Sequence, residues 1–428
     1  MRSRYVFFVL CFAILISSEG MRAQVQPGTP RGPVRITLDE AVSLALAHNH
    51  ALAAARTTIQ QSQAQEITAN LRPNPVLMAD AQFLPIFNPN RWTADYTDQS
   101  AQFDLGASYL FERGRKRQHR VQAARDQTAV TISQVADNER QLSFQTATAF
   151  VSVLLAEDNL ALARKDLDSF KSTVDISETR FKAGDISEGD YLKIKLQLLQ
   201  FQTDVSQAEL GRVQALVSLR ELLGYESVPA NFDVAGTLDY SPVKTTKDEA
   251  LAMAAEHRPD LRAAIQGVAA AASQHELAIA YGKRDPTVEL VYTHTGAMST
   301  ASAFFNMEIP IFTRNQGEIS RTKYAQTQAE ELRRVAEETV EGDVAGAIEG
   351  VQSNDQIIRL YRSGYLDESK LSLDISEYAY KRGAASLLDF LDAERSYRAT
   401  QLAYRQSLAS YMLAVEQLRE ATGNRGMP

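Results

Sequence analysis

Short stretches of the chain alternate apolar and polar residues almost without error. Residues 101–111 read AQFDLGASYLF, and 76–83 read VLMADAQF. Two similar stretches, TVELVYTH at 287–294 and ASAFFNMEI at 301–309, lie in the second half. A period of two places every second side chain on the same face of a strand. The pattern predicts four β-strands, arranged as two hairpins, each with one apolar and one polar face.

Long helical sequence follows each hairpin. No proline occurs from Gly114 to Phe181, and a row of mostly apolar or small residues recurs every seven positions across this stretch. A sustained seven-residue period is typical of helices packed lengthwise. A helix of about 65 residues would be roughly 100 Å long, which indicates a rod rather than a compact enzyme. KAGDISEGD at 182–190 predicts a turn into a second helix at about 187–223, and KRGAAS at 381–386 predicts the equivalent turn.

Three phrases of the first half recur in the same order in the second half. They are TLDEAVSLALAHNHALAAA (37–55) with TKDEALAMAAEHRPDLRAA (246–264), FKAGDISEGDYL (181–192) with YKRGAASLLDFL (380–391), and LRELLG (219–224) with LREATG (418–423). The sequence therefore predicts two copies of one unit, each made of a helix, a β-hairpin, a long helix and a second helix. The predicted boundaries are repeat 1 at 37–224 with its hairpin at about 76–111, a connector at 225–245, repeat 2 at 246–423 with its hairpin at about 287–311, and a tail at 424–428.

Both repeats begin with a helix-start signal. Thr37 is followed three residues later by Glu40, and Thr246 by Glu249, which is the spacing of a capping box. Proline-containing phrases then predict the ends of these opening helices, at about Leu71 in the first repeat and at its counterpart, Lys283, in the second.

The N-terminus has the layout of a secretory signal. Residues 1–23 combine two arginines, about a dozen apolar residues and a small-residue end, with cleavage expected between 20 and 23. A linker at 24–36 follows, and no later segment reaches the roughly twenty apolar residues of a spanning helix. The only cysteine, Cys11, lies inside the apolar run, so lipid attachment is disfavoured and the mature chain has no thiol. An exported chain of this kind can cross a membrane only with strands.

The net charge of −8 and a single basic run, RGRKRQHR at 113–120, argue against a nucleic-acid partner. Four one-sided strands cannot close a barrel and would leave two edges open. Two chains would give eight strands and a filled interior, whereas three would give twelve and an open lumen. Aromatic residues near the strand ends fit a girdle at the membrane interfaces: Trp92, Tyr96, Tyr109, Phe111 and Phe312.

Taken together, the residues from about 37 to 423 resemble the TolC-like outer membrane efflux proteins. The resemblance is carried by the repeat, the helix starts, LRPNP before the first strand, and the phrases RFKAGDISEGDYL and YKRGAASLLDFLDAERS. It implies a mixed, mainly α fold with β: a homotrimeric twelve-stranded outer membrane barrel continued by a long periplasmic α-helical barrel. The region 225–245 would belong to an equatorial belt, and LRPNP is more similar to members that serve heavy-metal exporters.

Two carboxylates are the sharpest candidate for function. Asp389 and Asp392 are three residues apart and share a helix face. The resemblance implies that matching aspartates line the constricted periplasmic entrance, where three chains would bring six carboxylates together. Repeat 1 keeps Asp190 but has Lys193 at the second position. The alternative is an ordinary solvated helix face.

The turn residues of both repeats are the second candidate. Gly184 and Gly383 suit helix ends with positive φ, and Ser187 and Ser386 follow each glycine at the same spacing. The resemblance implies that these turns dock onto a periplasmic adaptor, which couples the duct to an inner-membrane pump, expected to be of the RND type. The alternative is that they only reverse the chain.

No catalytic or cofactor pattern emerges. The six histidines show no metal-ligand spacing, and His48 and His257 are repeat mates that suggest repeated packing. The expected function is therefore a passive exit duct in contact with outer membrane lipid, without a cofactor, a metal or an enzymatic activity. Two alternatives stay open: the same duct serving a type I protein secretion system, and a periplasmic coiled-coil scaffold. An exported enzyme is disfavoured.

Overall fold

The computed structural model describes residues 34–426, so the signal at 1–23, Cys11 and most of the linker lie outside the described residues. The helices are α1 (Leu38–His48), α2 (His50–Asn70), α3 (Ala94–Ser100), α4 (Lys116–Ala183), α5 (Glu188–Leu223), α6 (Lys247–His257), α7 (Pro259–Tyr281), α8 (Gln316–Leu360), α9 (Leu366–Lys381) and α10 (Leu387–Thr422). The strands are β1 (Arg35–Ile36), β2 (Val76–Gln82), β3 (Gln102–Leu110), β4 (Asp233–Val234), β5 (Thr287–Thr295) and β6 (Met298–Asn306). The fold is mainly helical with few strands, which confirms the predicted class.

Capping boxes start α1 and α6. The Thr37 amide donates to Glu40 Oε2 at 2.8 Å, and the Glu40 amide donates to Thr37 Oγ1 at 3.4 Å. Thr246 and Glu249 repeat the arrangement at 3.0 and 3.3 Å. Two amide donors that have no partner within the helix are thereby satisfied at each start.

The expectation of one continuous opening helix in each repeat was wrong. An extended residue interrupts both helices, Asn49 with ψ 119° and Arg258 with ψ 119°. The Asn49 side chain accepts from the Leu52 amide at 3.0 Å and so starts α2, while Pro259 occupies the first turn of α7. Both residue types favour a new helix start over a helix interior.

One antiparallel sheet contains all four long strands, in the order β2-β3-β5-β6. The β3–β5 pairing joins the two hairpins, from Gln102 opposite Thr295 to Leu110 opposite Thr287. The expected strand at 301–309 was misplaced: β6 begins at Met298, because β5 and β6 are joined by only two residues, beginning with Gly296 at φ 60°. A glycine at this position gives a turn that matches the strand twist, so pairing continues up to the turn.

The helices pack side by side, with α4 at the centre. On the side of the molecule nearer the sheet, the helices lie in the order α2, α4, α7 and α8. On the opposite side they lie in the order α5, α4, α10, with α8 and α9 next to α10. The second long helix is not continuous: a π-helical turn at Tyr361–Tyr365, with Gly364 at φ 133°, separates α8 from α9. In contrast, α4 runs unbroken for 68 residues.

Residues 225–245 pack against the helices, with Val228 and Phe232 buried in one hydrophobic core and Tyr240 packed against another. Strand β4 of this connector pairs in parallel with β1. Two glycines that end α5 and α10 lie against the breaks described above: a Cβ on Gly224 would lie 2.8 Å from the His48 oxygen, and one on Gly423 would lie 3.0 Å from the His257 carbonyl carbon. Their φ angles are +84° and +68°. Close approach and positive φ both require glycine here.

By length and composition alone, an 18-residue stretch of α4 could span a membrane. This corrects the expectation that no segment after the signal could do so. This stretch is 44 % buried inside the chain. Packing of α4 against α2, α5, α7 and α10 accounts for its apolar residues.

Candidate functional site

The sheet has one apolar face, and that face is uncovered. Strand register places Leu105 of β3 opposite Ala79 of β2 and Tyr292 of β5. Several large side chains on this apolar face are half exposed or more: Leu77, Leu105, Leu290, Tyr292 and Phe305. Side chains of this kind in contact with water are unfavourable, so the apolar face requires a non-aqueous neighbour.

The other face, the polar face, carries acidic groups. Asp80 lies directly opposite Asp104 across the β2–β3 pair. Gln82 Nε2 donates to Asp80 Oδ2 at 2.7 Å and to Asp104 Oδ2 at 3.3 Å, which offsets the repulsion between the two carboxylates. Glu289 lies on the same face, and the four strands contain no lysine or arginine.

The lateral sides of the molecule remain unpartnered. The outer strands β2 and β6 each pair on one side only. A stripe of exposed apolar residues, the α5 stripe, follows the outer side of that helix: Leu192, Leu196, Leu199, Leu210, Val213 and Val217. A second stripe, the α9 stripe, lies at the opposite end of the row of helices: Leu371, Ile375 and Tyr378. Both have the three- and four-residue spacing of a coiled-coil seam.

The two predicted turns lie together at one end of the helices, here called the tip. Gly184, at φ +85°, follows α4, and Gly383, at φ +76°, follows α9. In both turns the amide after the glycine donates to a carbonyl five residues back, Asp185 to Arg180 and Ala384 to Ala379, each at 2.8 Å. This is the hydrogen bond of a Schellman motif, which requires the left-handed glycine.

Serines restart the helices beyond each turn. Ser187 Oγ accepts from the Asp190 amide at 3.1 Å, and Ser386 Oγ accepts from the Asp389 amide at 3.2 Å. Nothing lies within 4 Å of a Cβ built on Gly184 or Gly383, so both turns face open space. A partner surface could therefore reach them.

Stacked aromatic rings brace both turns, a feature that the sequence interpretation missed. Phe181 stacks on Tyr191 with centroids 5.0 Å apart, and Tyr380 stacks on Phe390 at 5.5 Å. Arg180 Nη1 donates to the Tyr380 oxygen at 3.1 Å and ties one turn to the other. The repeat alignment carried the signal, because it pairs an aromatic before each turn with one ten residues later.

Asp389 and Asp392 share an exposed side of α10, but their surroundings differ. The Asp389 carboxylate completes a capping box, accepting from the Ser386 amide at 3.1 Å and from Ser386 Oγ at 2.8 Å. The Asp392 side chain is 72 % exposed, with Arg395 at 3.7 Å. Asp389 therefore has a structural role in addition to its charge, and Asp392 has a cation, Arg395, beside it.

About two turns further along α10, Arg398 lies among three carboxylates, a group that we call the Arg398 cluster. Arg398 pairs with Asp204 of α5 and lies 3.6 Å from Asp166 of α4 and 3.7 Å from Glu394 of its own helix. Its guanidinium also lies over the Phe201 ring, 4.5 Å from the centroid. Burial raises the pKa of Glu394 to about 7 and also raises the pKa of Asp166. Sequence spacing could not predict the cluster, because it joins three helices.

Within residues 34–426, no group of three or more His, Cys, Asp and Glu side chains is placed to hold a metal ion. His275 Nδ1 lies 3.0 Å from Thr322 Oγ1, and His294 Nδ1 lies 3.1 Å from Ser299 Oγ. These histidines have local hydrogen-bond partners and do not converge.

Both halves of the chain match one protein family. The family model described as outer membrane efflux protein matches residues 41–225 and 250–424. Among similar proteins, the cobalt-zinc-cadmium resistance protein CzcC of Cupriavidus metallidurans is 23 % identical over 403 residues, covering 92 % of this chain and 91 % of that protein. The pyoverdine export outer membrane protein OpmQ of Pseudomonas aeruginosa is 24 % identical over 405 residues, covering 90 % and 85 %.

Solved structures have the same fold. A crystal structure of CusC superposes with a TM-score of 0.75 at 20 % identity, covering 92 % of this chain and 95 % of that chain. The CmeC outer membrane channel of Campylobacter jejuni gives a TM-score of 0.76 at 16 % identity, covering 90 % and 85 %. The uncovered sheet and the helices that extend from it, together with the match over both halves, show that the chain belongs to the outer membrane efflux protein family: it is an outer membrane channel protein with a periplasmic helical part.

Proposed function

We propose that three copies of this chain form one passive exit duct, through which solute passes from an inner-membrane pump to the outside. The observation that carries the proposal is that the chain leaves both of its lateral sides unpaired, at the sheet and at the helices alike. Three chains of four strands would give a twelve-stranded barrel with an open lumen. The polar face would line that lumen, and the apolar face would contact outer membrane lipid.

The two lateral sides are suited to one another. In the row of helices α5 lies at one end and α9 at the other, so a ring would bring the α5 stripe of one copy against the α9 stripe of the next. Repetition of one such head-to-tail contact produces a closed ring when the rotation closes. Leu196 lies nine residues beyond Ser187, and Ile375 lies eight residues before Gly383. At 1.5 Å per residue both are about 12 to 14 Å from the tip.

A cysteine pair tests this contact. The chain has one cysteine, within the predicted signal, so cysteines introduced at Leu196 and Ile375 would be the only thiols of the mature protein. Oxidation of the double variant should give a covalent trimer on a reducing-agent-free gel. Either single variant is the matched control and should give no covalent ladder. A covalent dimer that never proceeds to trimer, or no crosslinking in membranes, would contradict the proposed ring.

We propose the tip as both the docking site and the entrance. The turns at Gly184 with Ser187 and Gly383 with Ser386 would contact the periplasmic adaptor, which links the duct to a pump of the RND type. Their exposure and their fixed Schellman geometry support this assignment. Asp389 and Asp392 would line the entrance, and three copies would place six carboxylates around its axis. Crosslinking from cysteines placed at Asp185 or Ala384, the exposed residues next to the turn glycines, should capture the adaptor. Capture of a protein-secretion adaptor instead would favour the type I secretion alternative.

We further propose two structural repeats, 37–224 and 246–423, joined by the connector 225–245, with a linker at 24–36 and a tail at 424–428. Support comes from details that recur in both halves: the capping boxes, the extended residues Asn49 and Arg258, and the stacked rings at the turns. Recurrence of such details is unexpected unless both halves follow one plan.

The proposed solutes are metal cations. On the polar face of the sheet the charged residues are acidic, Asp80, Asp104 and Glu289, so nine carboxylates would face the lumen of a trimer. Acidic linings concentrate cations and repel anions. Relatives include a cobalt-zinc-cadmium resistance protein and a cation efflux protein. Deletion of the gene should lower tolerance to zinc, cadmium or copper, and unchanged tolerance to all three would exclude this solute class.

A further inference from the structure

The Arg398 cluster joins the helix that carries the proposed gate to two other helices. Arg398 and Glu394 lie on α10, Asp166 lies on α4 and Asp204 lies on α5. The side chains are between 10 and 20 % exposed. One guanidinium thus faces three nearly buried carboxylates, which leaves an excess of negative charge where hydration cannot offset it.

Glu394 is the weakest partner in the cluster. The Glu394 residue is only 8 % exposed, and its contact with Arg398 is 3.7 Å, whereas Asp204 is within hydrogen-bonding distance of the same guanidinium. Asp166 and Asp204 both oppose the ionisation of Glu394, while Arg398 and Arg395 favour it. The net effect of burial and these neighbours is that Glu394 holds its proton more strongly in this packed arrangement than it would in water.

A cavity of about 170 Å³ adjoins Glu394, and the other charged groups around it are few. Lys165 comes from α4, and Lys370, Asp374 and Glu377 come from α9. Neither lysine forms an ion pair with Glu394 in the described part of the chain, and Glu377 pairs with Lys381 at 2.6 Å instead. Two lysines and four carboxylates, Asp166 and Glu394 among them, line the cavity, so its lysines do not remove the excess negative charge of the cluster.

The position of Glu394 on α10 connects its charge to the entrance. Glu394 is two residues beyond Asp392, and the two side chains point to nearly opposite sides of the same helix, one buried and one exposed. A helix start is rigid over this distance, so any change in how Glu394 packs also displaces Asp392. The first two turns of α10 therefore respond as a unit.

We propose that Glu394 and Arg398 are positioning residues that make the entrance sensitive to pH. With Glu394 protonated, Arg398 is shared between Asp166 and Asp204 only and holds the start of α10 against α4 and α5. With Glu394 ionised, three carboxylates repel one another around one guanidinium, and the start of α10 loosens. The inference rests on the proposed gate only for its consequence; the loosening of α10 is measurable by itself.

The direction of the pH dependence follows from proton linkage. The packed state binds the Glu394 proton and the loosened state, in which the group is hydrated, releases it. Alkaline conditions therefore favour the loosened state. Its population should rise with pH up to about 7, where Glu394 of the packed state itself ionises, and then level off. One proton limits the rise to about tenfold per pH unit.

Amide hydrogen exchange of the assembled protein between pH 5 and pH 8 tests this inference. The ratio of exchange in residues 387–398 between wild type and Glu394→Gln cancels the intrinsic pH dependence of exchange. We expect that ratio to rise severalfold per unit up to about pH 7, because the glutamine variant stays packed throughout. Glu377→Gln, which lines the same cavity without contacting Arg398, is the control and should exchange like wild type.

Parallel exchange of wild type and Glu394→Gln at every pH would overturn the inference, as would an equal change in Glu377→Gln. If Glu394→Gln does not assemble, Asp166→Asn provides the test: removing one opposing charge lowers the pKa of Glu394 in the packed state, so the rise should end at a lower pH. A rise that still ends near pH 7 overturns the inference. Two measurements separate this inference from the proposed gate. Asp392→Asn should keep the rise of amide exchange with pH, because Asp392 is outside the Arg398 cluster.

A protein that conducts no current in any variant would contradict the proposed duct, but the exchange result would still decide the inference on Glu394.

Discussion

Leu105→Arg should prevent or weaken assembly in the membrane. Leu105 lies near the middle of β3, on the apolar face, 54 % exposed, with Ala79 and Tyr292 as its cross-strand neighbours. Neither neighbour carries a negative charge that could form an ion pair with a guanidinium. The charge would therefore lie in lipid if the apolar face contacts the bilayer.

The free-energy cost of this arginine depends on how deep it lies in the bilayer. An arginine on the lipid face of a barrel costs about 2 to 4 kcal/mol near the midplane and little near the interfaces. Three copies per trimer would give roughly 6 to 12 kcal/mol for the whole barrel, if the three sites are independent. A loss of that size is comparable with the whole stability of an ordinary domain.

The matched controls lie on the polar face. Thr293→Arg is at a similar depth and directly opposite Asp104, so the new cation gains a carboxylate partner. Gln102→Arg adds a charge on the same face, at the end of β3. We expect both controls to assemble. The measurement is the yield of the SDS-resistant oligomer in membranes, with urea unfolding in vesicles to give the free energy. Equal losses in Leu105→Arg and Thr293→Arg would refute the assignment of the two faces.

Other expected outcomes concern the tip and the joint between sheet and helices. The double variant Asp389→Asn with Asp392→Asn should lose most of the cation preference and the periplasmic block by multivalent cations in planar bilayers, whereas Asp190→Asn should change both much less; equal effects would contradict the entrance assignment. Gly383→Val, which penalises a left-handed residue by more than about 1 kcal/mol, should leave the trimer intact while efflux and adaptor crosslinking fall, so normal efflux would argue against docking there. Lys116→Met removes a 6 % exposed ammonium that lies 2.6 Å from the Asp285 carboxylate, which would leave that carboxylate unpaired. The free energy of unfolding in urea should fall by about 3 to 5 kcal/mol. A change below about 1 kcal/mol would contradict a structural role for the Lys116–Asp285 pair.

The strands and the long helix could be predicted because each pattern is local. Alternation depends on a period of two, and it located β3 and β5 to within a residue. The helix ends near Gly184 and Ser187 follow from caps that are written in a few residues. Prediction failed for β6, because the tightness of a two-residue turn depends on pairing across the hairpin.

Breaks in helices were harder to predict than their starts. Asn49 interrupts a helix-forming stretch because its side chain contacts both the Leu52 amide and the Leu222 oxygen, which is 173 residues away in the sequence. Gly364 interrupts the second long helix, although Gly342, Gly346 and Gly350 lie inside α8 without breaking it. A glycine permits a break, but tertiary packing decides whether one forms.

Only the local features of the candidate site could be predicted from the sequence. The turns and the aspartate pair are short motifs, so their residues could be identified in the sequence. The role of Asp389 as a cap, and the placement of Glu394 among Asp166, Asp204 and Arg398, depend on which helices lie together. Burial of Glu394 could not be inferred from α10 alone, because its neighbours come from three other helices.

The mass of the particle extracted from outer membranes gives the number of chains in the duct. We expect the chain to fractionate with the outer membrane, and we expect native mass spectrometry after detergent removal to give three times the mass of the mature chain. A trimer is required because one chain of four strands leaves both sheet edges open. A monomer recovered in the soluble periplasmic fraction, or a particle of two or four chains, would contradict it.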